Sequence, residues 1–67
     1  MKAKDLMRYA ESKGWTLHRI TGSHHVYKHA DQAYLVVIPA HGSKDLAPGT
    51  LAILMKQIDG RWKGPHA

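Results

Sequence analysis

Two adjacent histidines follow a glycine and a serine in the segment Gly22-Ser23-His24-His25. The glycine separates two segments in which polar and apolar residues alternate, so it predicts a hairpin turn with the histidines at the start of a strand. An imidazole, with an unperturbed pKa of ~6.5, can both accept and donate a proton near neutral pH. His24 is therefore a candidate for general acid or base catalysis on a rigid element.

The segment His24-His25-x-x-x-His29 is also a candidate metal-binding motif. On a strand, His24 and His25 point to opposite faces, and His25 and His29 lie about 13 Å apart at ~3.3 Å per residue. A single ion with bonds of ~2.0 Å cannot be reached by all three side chains. The chain contains no cysteine, so disulfides and thiolate ligands are excluded. We therefore expect no metal site and no cofactor.

The composition favours a small domain that acts on an open surface. The chain has 67 residues, with 10 lysines and arginines against 5 acidic residues and a formal net charge of +5. A domain of this length buries only roughly 60% of its unfolded surface, which leaves no room for a deep substrate cavity. The positive charge favours a polyanionic partner, either a nucleic acid or an acidic protein. We expect a cytoplasmic protein that does not bind membranes, because no apolar segment resembles a membrane span or signal peptide.

The hydrophobic pattern predicts the element order α-β-β-β-α. Helical spacing of apolar residues predicts a helix over 2–13 and a second helix that begins at Pro48 and ends before Gly60. Alternating or β-branched segments predict strands at 15–20, 24–29 and 34–38. We expect an α+β domain over residues 1–59, in which both helices cover one face of a three-stranded antiparallel sheet. Residues 60–67 are predicted to form a flexible C-terminal tail.

The hairpin register decides which face carries His24, because a slip of one residue moves every side chain to the opposite face. A two-residue loop at Thr21-Gly22 would leave Trp15 and Leu17 on the face of His24. A three-residue loop, 20–22, instead groups Trp15 and Leu17 with Tyr27 under the helices, and we favour it. The predicted core is then Leu6, Met7, Trp15, Leu17, Tyr27, Leu51, Leu54 and Ile58.

Each candidate position also has an ordinary structural interpretation. On spacing alone, a solvated surface histidine explains His24 better than catalysis does, because no second acid–base group is evident. His25 and His29 are interpreted as packed or turn residues rather than catalysts. Arg19 and Lys28 flank His24 and are candidates for phosphate contacts, although an isolated cation is usually only solvated.

Three motifs, in this order, resemble those of the HicA toxin family. After a short helix that ends in Gly14-Trp15, the chain contains Gly22-Ser23-His24-His25-x-Tyr27, Ile38-Pro39-x-His41 and Asp45-Leu46-x-x-Gly49-Thr50-Leu51. The resemblance covers residues 2 to about 58. It implies a ribosome-independent mRNA interferase with a double-stranded-RNA-binding-domain-like fold, which is the toxin of a type II toxin–antitoxin system and is neutralised by a HicB antitoxin.

The resemblance also assigns roles to individual residues. It implies that the histidine after Gly-Ser, His24, is the catalytic residue of the endoribonuclease, which we expect from the residues themselves to be metal-independent. From their positions we also expect Arg19, Ser23, Lys28 and His41 to contact mRNA, although a cap on the loop after Pro39 is an equal alternative for His41. A non-catalytic RNA-binding module and a domain that only binds an acidic protein are the alternative functions. The second acid–base group and the oligomeric state are left open by the sequence.

Overall fold

The computed structural model describes residues 1–42 and 44–63, which fold in the order α-β-β-β-α. The elements are α1 (Ala3–Ser12), β1 (Thr16–Thr21), β2 (His24–Lys28), β3 (Val36–Pro39) and α2 (Pro48–Ile58). The strands form one antiparallel sheet in the order β1-β2-β3, so β2 is central and β1 and β3 are edges. The predicted α+β class and element order are confirmed.

Local sequence explains where the helices begin and end. α1 ends before Gly14, which adopts a left-handed φ of 93°, while the Trp15 N–H donates to the Ala10 carbonyl at 3.1 Å. Such a reversal closes a helix at low cost only with glycine. A side chain at Gly14 would also place its Cβ 2.9 Å from Nε2 of His29. α2 begins at Pro48, whose ring favours the first helical position.

Most of the predicted core is confirmed. Five of its members are buried: Leu6, Trp15, Tyr27, Leu54 and Ile58. Met7 and Leu51 are partly buried and pack against that cluster. The prediction missed four buried residues that complete the cluster, namely Ala3, Ala10, Val36 and Ile38. The indole N–H of Trp15 donates to the Ile58 carbonyl at 3.0 Å, which ties the end of α2 to the start of β1.

The prediction that Leu17 belongs to the core is wrong, since its side chain is 46% exposed. Both helices contact β3, and every residue of β1 is exposed. Because both helices lie toward the β3 edge of the sheet, they do not cover β1 at the opposite edge. Leu17 faces the same side as buried Tyr27, its partner in the ladder, but lies beyond the covered area.

Side-chain contacts join α2 and the residues after it to α1 and to the loop before β3. The Tyr9 hydroxyl on α1 donates to the Asp59 carboxylate, and this hydrogen bond holds the pKa of Asp59 below its usual range. The Tyr34 hydroxyl donates to the Gln57 carbonyl at 2.7 Å, and its ring contacts Trp62 at 5.1 Å between ring centroids.

Of the predicted tail, 64–67 lies outside the described residues. No helix in the described part of the chain is long and apolar enough to cross a membrane.

Candidate active site

The hairpin that presents His24 has a two-residue turn at Gly22-Ser23, and Thr21 pairs directly with His24. The favoured loop over residues 20–22 is therefore wrong, and so is the alternative at Thr21-Gly22. Gly22 has a φ of 59° and Ser23 does not adopt a positive φ. A glycine at the first central position is typical of a type II′ turn, whose twist matches that of the two strands.

A β-bulge in β1 restores the expected grouping of side chains despite the different turn. Leu17 pairs with Tyr27 and Arg19 pairs with Val26, so His18 is the extra residue. Without the bulge, Leu17 would lie on the opposite face from Tyr27, because the ladder alternates strictly. The bulge thus places Leu17 on the helix side, whereas Arg19 shares the face of His24 through the regular ladder next to the turn.

His24 is exposed and stands at the first position of the central strand. It pairs with Thr21 on β1 and with Pro39 on β3, so its backbone is held from both sides. One further hydrogen bond, from the Ala40 N–H to the Ser23 carbonyl at 2.7 Å, joins the hairpin turn to the end of β3. The chain beyond β3 is therefore fixed next to His24.

This connection brings His41 beside His24. The centroids of the two imidazole rings are 6.4 Å apart, and the ring planes are inclined at 81°. Both side chains are exposed, and neither ring is hydrogen-bonded to any other residue that the structure describes. Two imidazoles thus face a common space with their nitrogens available to a substrate.

The structure brings together most of the residues that the sequence singled out. Arg19 is opposite Val26 and hence a diagonal neighbour of His24, at a typical Cα separation of about 7 to 8 Å. Ser23 is half-buried in the turn itself. Lys28 shares the face of His24 but lies four residues along β2, or about 13 Å away. Lys28 is thus the one predicted site residue that is not close to His24.

The charge of this face is positive. β1, β2 and β3 contain no aspartate or glutamate, whereas they carry Arg19 and Lys28. The nearest acidic residue on the adjoining loop is Asp45, whose carboxylate is 3.8 Å from the ammonium group of Lys2. A phosphate approaching His24 therefore meets cations and the two imidazoles.

A cavity of about 340 Å³ adjoins His41, between the loop after β3 and the first turn of α2. Its wall includes Lys44, Asp45 and Thr50 as well as His41. Sequence reasoning missed Lys44 and Thr50 as neighbours of the site. The predicted start of α2 at Pro48 was the available signal, because it places Thr50 in the first turn beside the loop.

His25 on β2 and His29 just after that strand have structural surroundings, as predicted. His25 is half-buried and pairs with Ile20 and Ile38, and its Nδ1 is buried without a hydrogen-bond partner in the described chain. The His29 ring contacts the Trp15 ring at 5.2 Å between centroids and accepts a hydrogen bond from the Asp31 N–H at 3.0 Å. Within residues 1–42 and 44–63, no group of three His, Cys, Asp or Glu side chains is placed to hold a metal ion.

The sequence of the chain matches the model of a known protein family. The model of the HicA toxins of bacterial toxin–antitoxin systems matches residues 3–59, which include both helices and all three strands. The chain belongs to the HicA toxin family. Both His24 and His41 lie within the matched region of this HicA-family toxin, and membership implies an antitoxin as its partner. A search of curated proteins found no match to the chain.

Proposed function

We propose that this HicA-family toxin is an endoribonuclease that cleaves mRNA, with His24 as the general base. The observation that carries the proposal is the position of His24, exposed at the start of the central strand, on a face with cations and no carboxylates. A rigid, accessible imidazole in a positive field suits a reaction at a phosphodiester. Membership of a toxin family supplies a reason for such a reaction.

The reaction needs only groups that the RNA and the protein contain. Neutral His24 takes the proton of a ribose 2′-hydroxyl, and the oxygen attacks the adjacent phosphorus. The bond from phosphorus to the 5′-oxygen breaks, which leaves a 2′,3′-cyclic phosphate and, after protonation, a 5′-hydroxyl. Arg19 stabilises the negative charge that develops on the phosphate in the transition state.

Contacts along β2 hold the RNA in place. Arg19 binds the phosphate next to His24, whereas Lys28, about 13 Å along the strand, binds a phosphate further along the chain. Ser23 and His41 contact the nucleotides at the turn. Because the surface is shallow, we propose single-stranded or looped mRNA as the substrate, whose bases and backbone are both accessible.

The purified protein is expected to cleave single-stranded RNA, and a substrate with 2′-deoxyribose at the cleaved position is expected to resist, because the internal nucleophile is missing. Cleavage should continue in the presence of a chelator, since an imidazole transfers protons by itself. Gel analysis of both substrates, with and without EDTA, measures these effects. Binding of RNA without any cleavage would instead identify a non-catalytic RNA-binding module.

We also propose that a HicB-like antitoxin, an acidic protein, neutralises the toxin by covering the His24 face. The Arg19→Glu substitution should then weaken the complex by about tenfold or more, because it places a negative charge against an acidic surface. Arg8→Glu is the matched control, since Arg8 is exposed on α1, which packs on the other side of the sheet. Calorimetric titration of both variants measures the difference. Equal losses, or an inhibited complex in which His24 stays accessible, would contradict steric blocking.

A further inference from the structure

We propose that His41 is the second acid–base group of the site. It protonates the oxygen that leaves when His24 activates the ribose 2′-hydroxyl. This inference rests on the proposed ribonuclease function and extends it to the second proton transfer. Attack and departure occur at opposite sides of the phosphorus, so a single imidazole cannot easily serve both oxygens in one step.

The geometry of the two rings fits one proton transfer by each histidine. Their centroids are 6.4 Å apart. Two hydrogen bonds of about 2.6 to 3.2 Å, one to each of two oxygens of the same phosphodiester, span a gap of this size. The inclination of 81° lets the rings approach the phosphate from different directions.

The two histidines come from separate elements that the sheet locks together. His24 belongs to β2, whereas His41 follows β3 by two residues. The pairing of His24 with Pro39 and the hydrogen bond between Ala40 and Ser23 fix their separation. The fold therefore holds the pair in place before a substrate arrives, which is what proton transfer in a transition state requires.

Other groups near His24 are poorly suited to donate this proton. Guanidinium and ammonium groups are weak acids, so arginine and lysine side chains such as those of Arg19 and Lys44 are poor proton donors. Tyr27 lies on the helix side of the sheet, and burial raises its pKa further. The Asp45 carboxylate is paired with the Lys2 ammonium group at 3.8 Å, and a carboxylate only accepts hydrogen bonds. His41 has the position, and imidazole is the side-chain group that commonly serves as a general acid in catalysis.

Two protons move in the proposed step. The lone pair of neutral His24 accepts the 2′-hydroxyl proton while the bond between the 2′-oxygen and phosphorus forms. The bond from phosphorus to the 5′-oxygen breaks, and its electron pair goes to that oxygen, which takes a proton from the His41 imidazolium. The products are the 2′,3′-cyclic phosphate and the 5′-hydroxyl, with His24 protonated and His41 neutral. Exchange with water returns both imidazoles to their starting states.

Substitution combined with a modified substrate tests the role of His41. His41→Gln should lower the cleavage rate by about 10² on ordinary RNA while RNA affinity and the thermal midpoint change little. With sulfur in place of the 5′-oxygen at the cleaved bond, His41→Gln should approach the wild-type rate, because a thiolate leaves without protonation. His24→Gln should remain slow on the same sulfur-containing RNA. His18→Gln, in the exposed bulge of β1, is the matched control and should cleave both substrates normally.

Several results would overturn the assignment. A His41→Gln protein that cuts ordinary RNA at the wild-type rate would remove His41 from the chemistry and leave the ribonuclease proposal intact. If His41→Gln is slow on ordinary RNA and equally slow on the sulfur-containing RNA, His41 has a role in binding or structure and does not donate the proton. If the sulfur-containing RNA instead restores the rate of His24→Gln, then His24 is the general acid and His41 the general base. Absence of cleavage by the wild-type protein would instead refute the ribonuclease proposal itself.

Discussion

Replacing His24 with glutamine is expected to lower the rate of RNA cleavage by a factor of roughly 10² to 10⁴ while leaving the fold and RNA affinity nearly unchanged. The loss follows from removal of the base that activates the 2′-hydroxyl. Folding should be preserved because the His24 side chain is exposed and bonded to no other residue within the described ranges. Affinity should be preserved because Arg19 and Lys28 keep their phosphate contacts.

Single-turnover cleavage of a short RNA measures the rate, and a binding titration with 2′-deoxy RNA measures affinity without cleavage. His18→Gln is the control for loss of an exposed histidine on the same sheet. It should leave both quantities unchanged. A His24→Gln protein that cuts RNA at the wild-type rate would remove His24 as the base and favour a different base or a contaminating nuclease. Loss of affinity equal to the loss of rate would indicate a binding role only.

Truncating Leu54 to alanine is expected to destabilise the domain by about 2 to 5 kcal/mol, by loss of burial and formation of a cavity. Leu54 is only 5% exposed, in the cluster that joins α2 to β3. Native stability is roughly 0.05 to 0.15 kcal/mol per residue, so this cost is a large share of the total for so short a chain. Much of the protein should therefore be unfolded at moderate temperature.

Ile53→Ala is the matched control, because Ile53 is adjacent in the same helix but 52% exposed. It should change stability by less than about 1 kcal/mol. Urea denaturation followed by circular dichroism measures both variants. Similar midpoints for the two proteins would show that α2 does not pack through Leu54. Unlike His24→Gln, the Leu54→Ala protein should lose cleavage and RNA binding together, because both depend on the folded sheet.

The amino-acid sequence by itself determined the elements and the class of the fold. Apolar residues at helical spacing, the glycine after α1 and the proline at the start of α2 each affect only the backbone within a few residues of them. Such local signals can be recognised without the tertiary structure. The same holds for the Gly-Ser-His motif at the start of β2. Its resemblance to a known family pointed to His24, and the family itself is confirmed by the match over residues 3–59.

Only the tertiary structure decided the hairpin register and the extent of the core. Turn length and the bulge at His18 compensate each other, and both together keep Leu17 on the same face as Tyr27, as predicted. Alternation along one strand cannot reveal such a compensation, because it depends on the partner strand. The exposure of Leu17 likewise depends on where the helices sit over the sheet.

The contact between His24 and His41 was also decided by the tertiary structure. Sequence reasoning treated them as separate candidates, one for catalysis and one for RNA binding, and left the second acid–base group open. They are neighbours because antiparallel pairing sets Pro39 opposite His24, and the hydrogen bond between Ala40 and Ser23 carries the chain past the turn. Distance between residues far apart in sequence follows from strand pairing, which spacing along one chain segment does not encode.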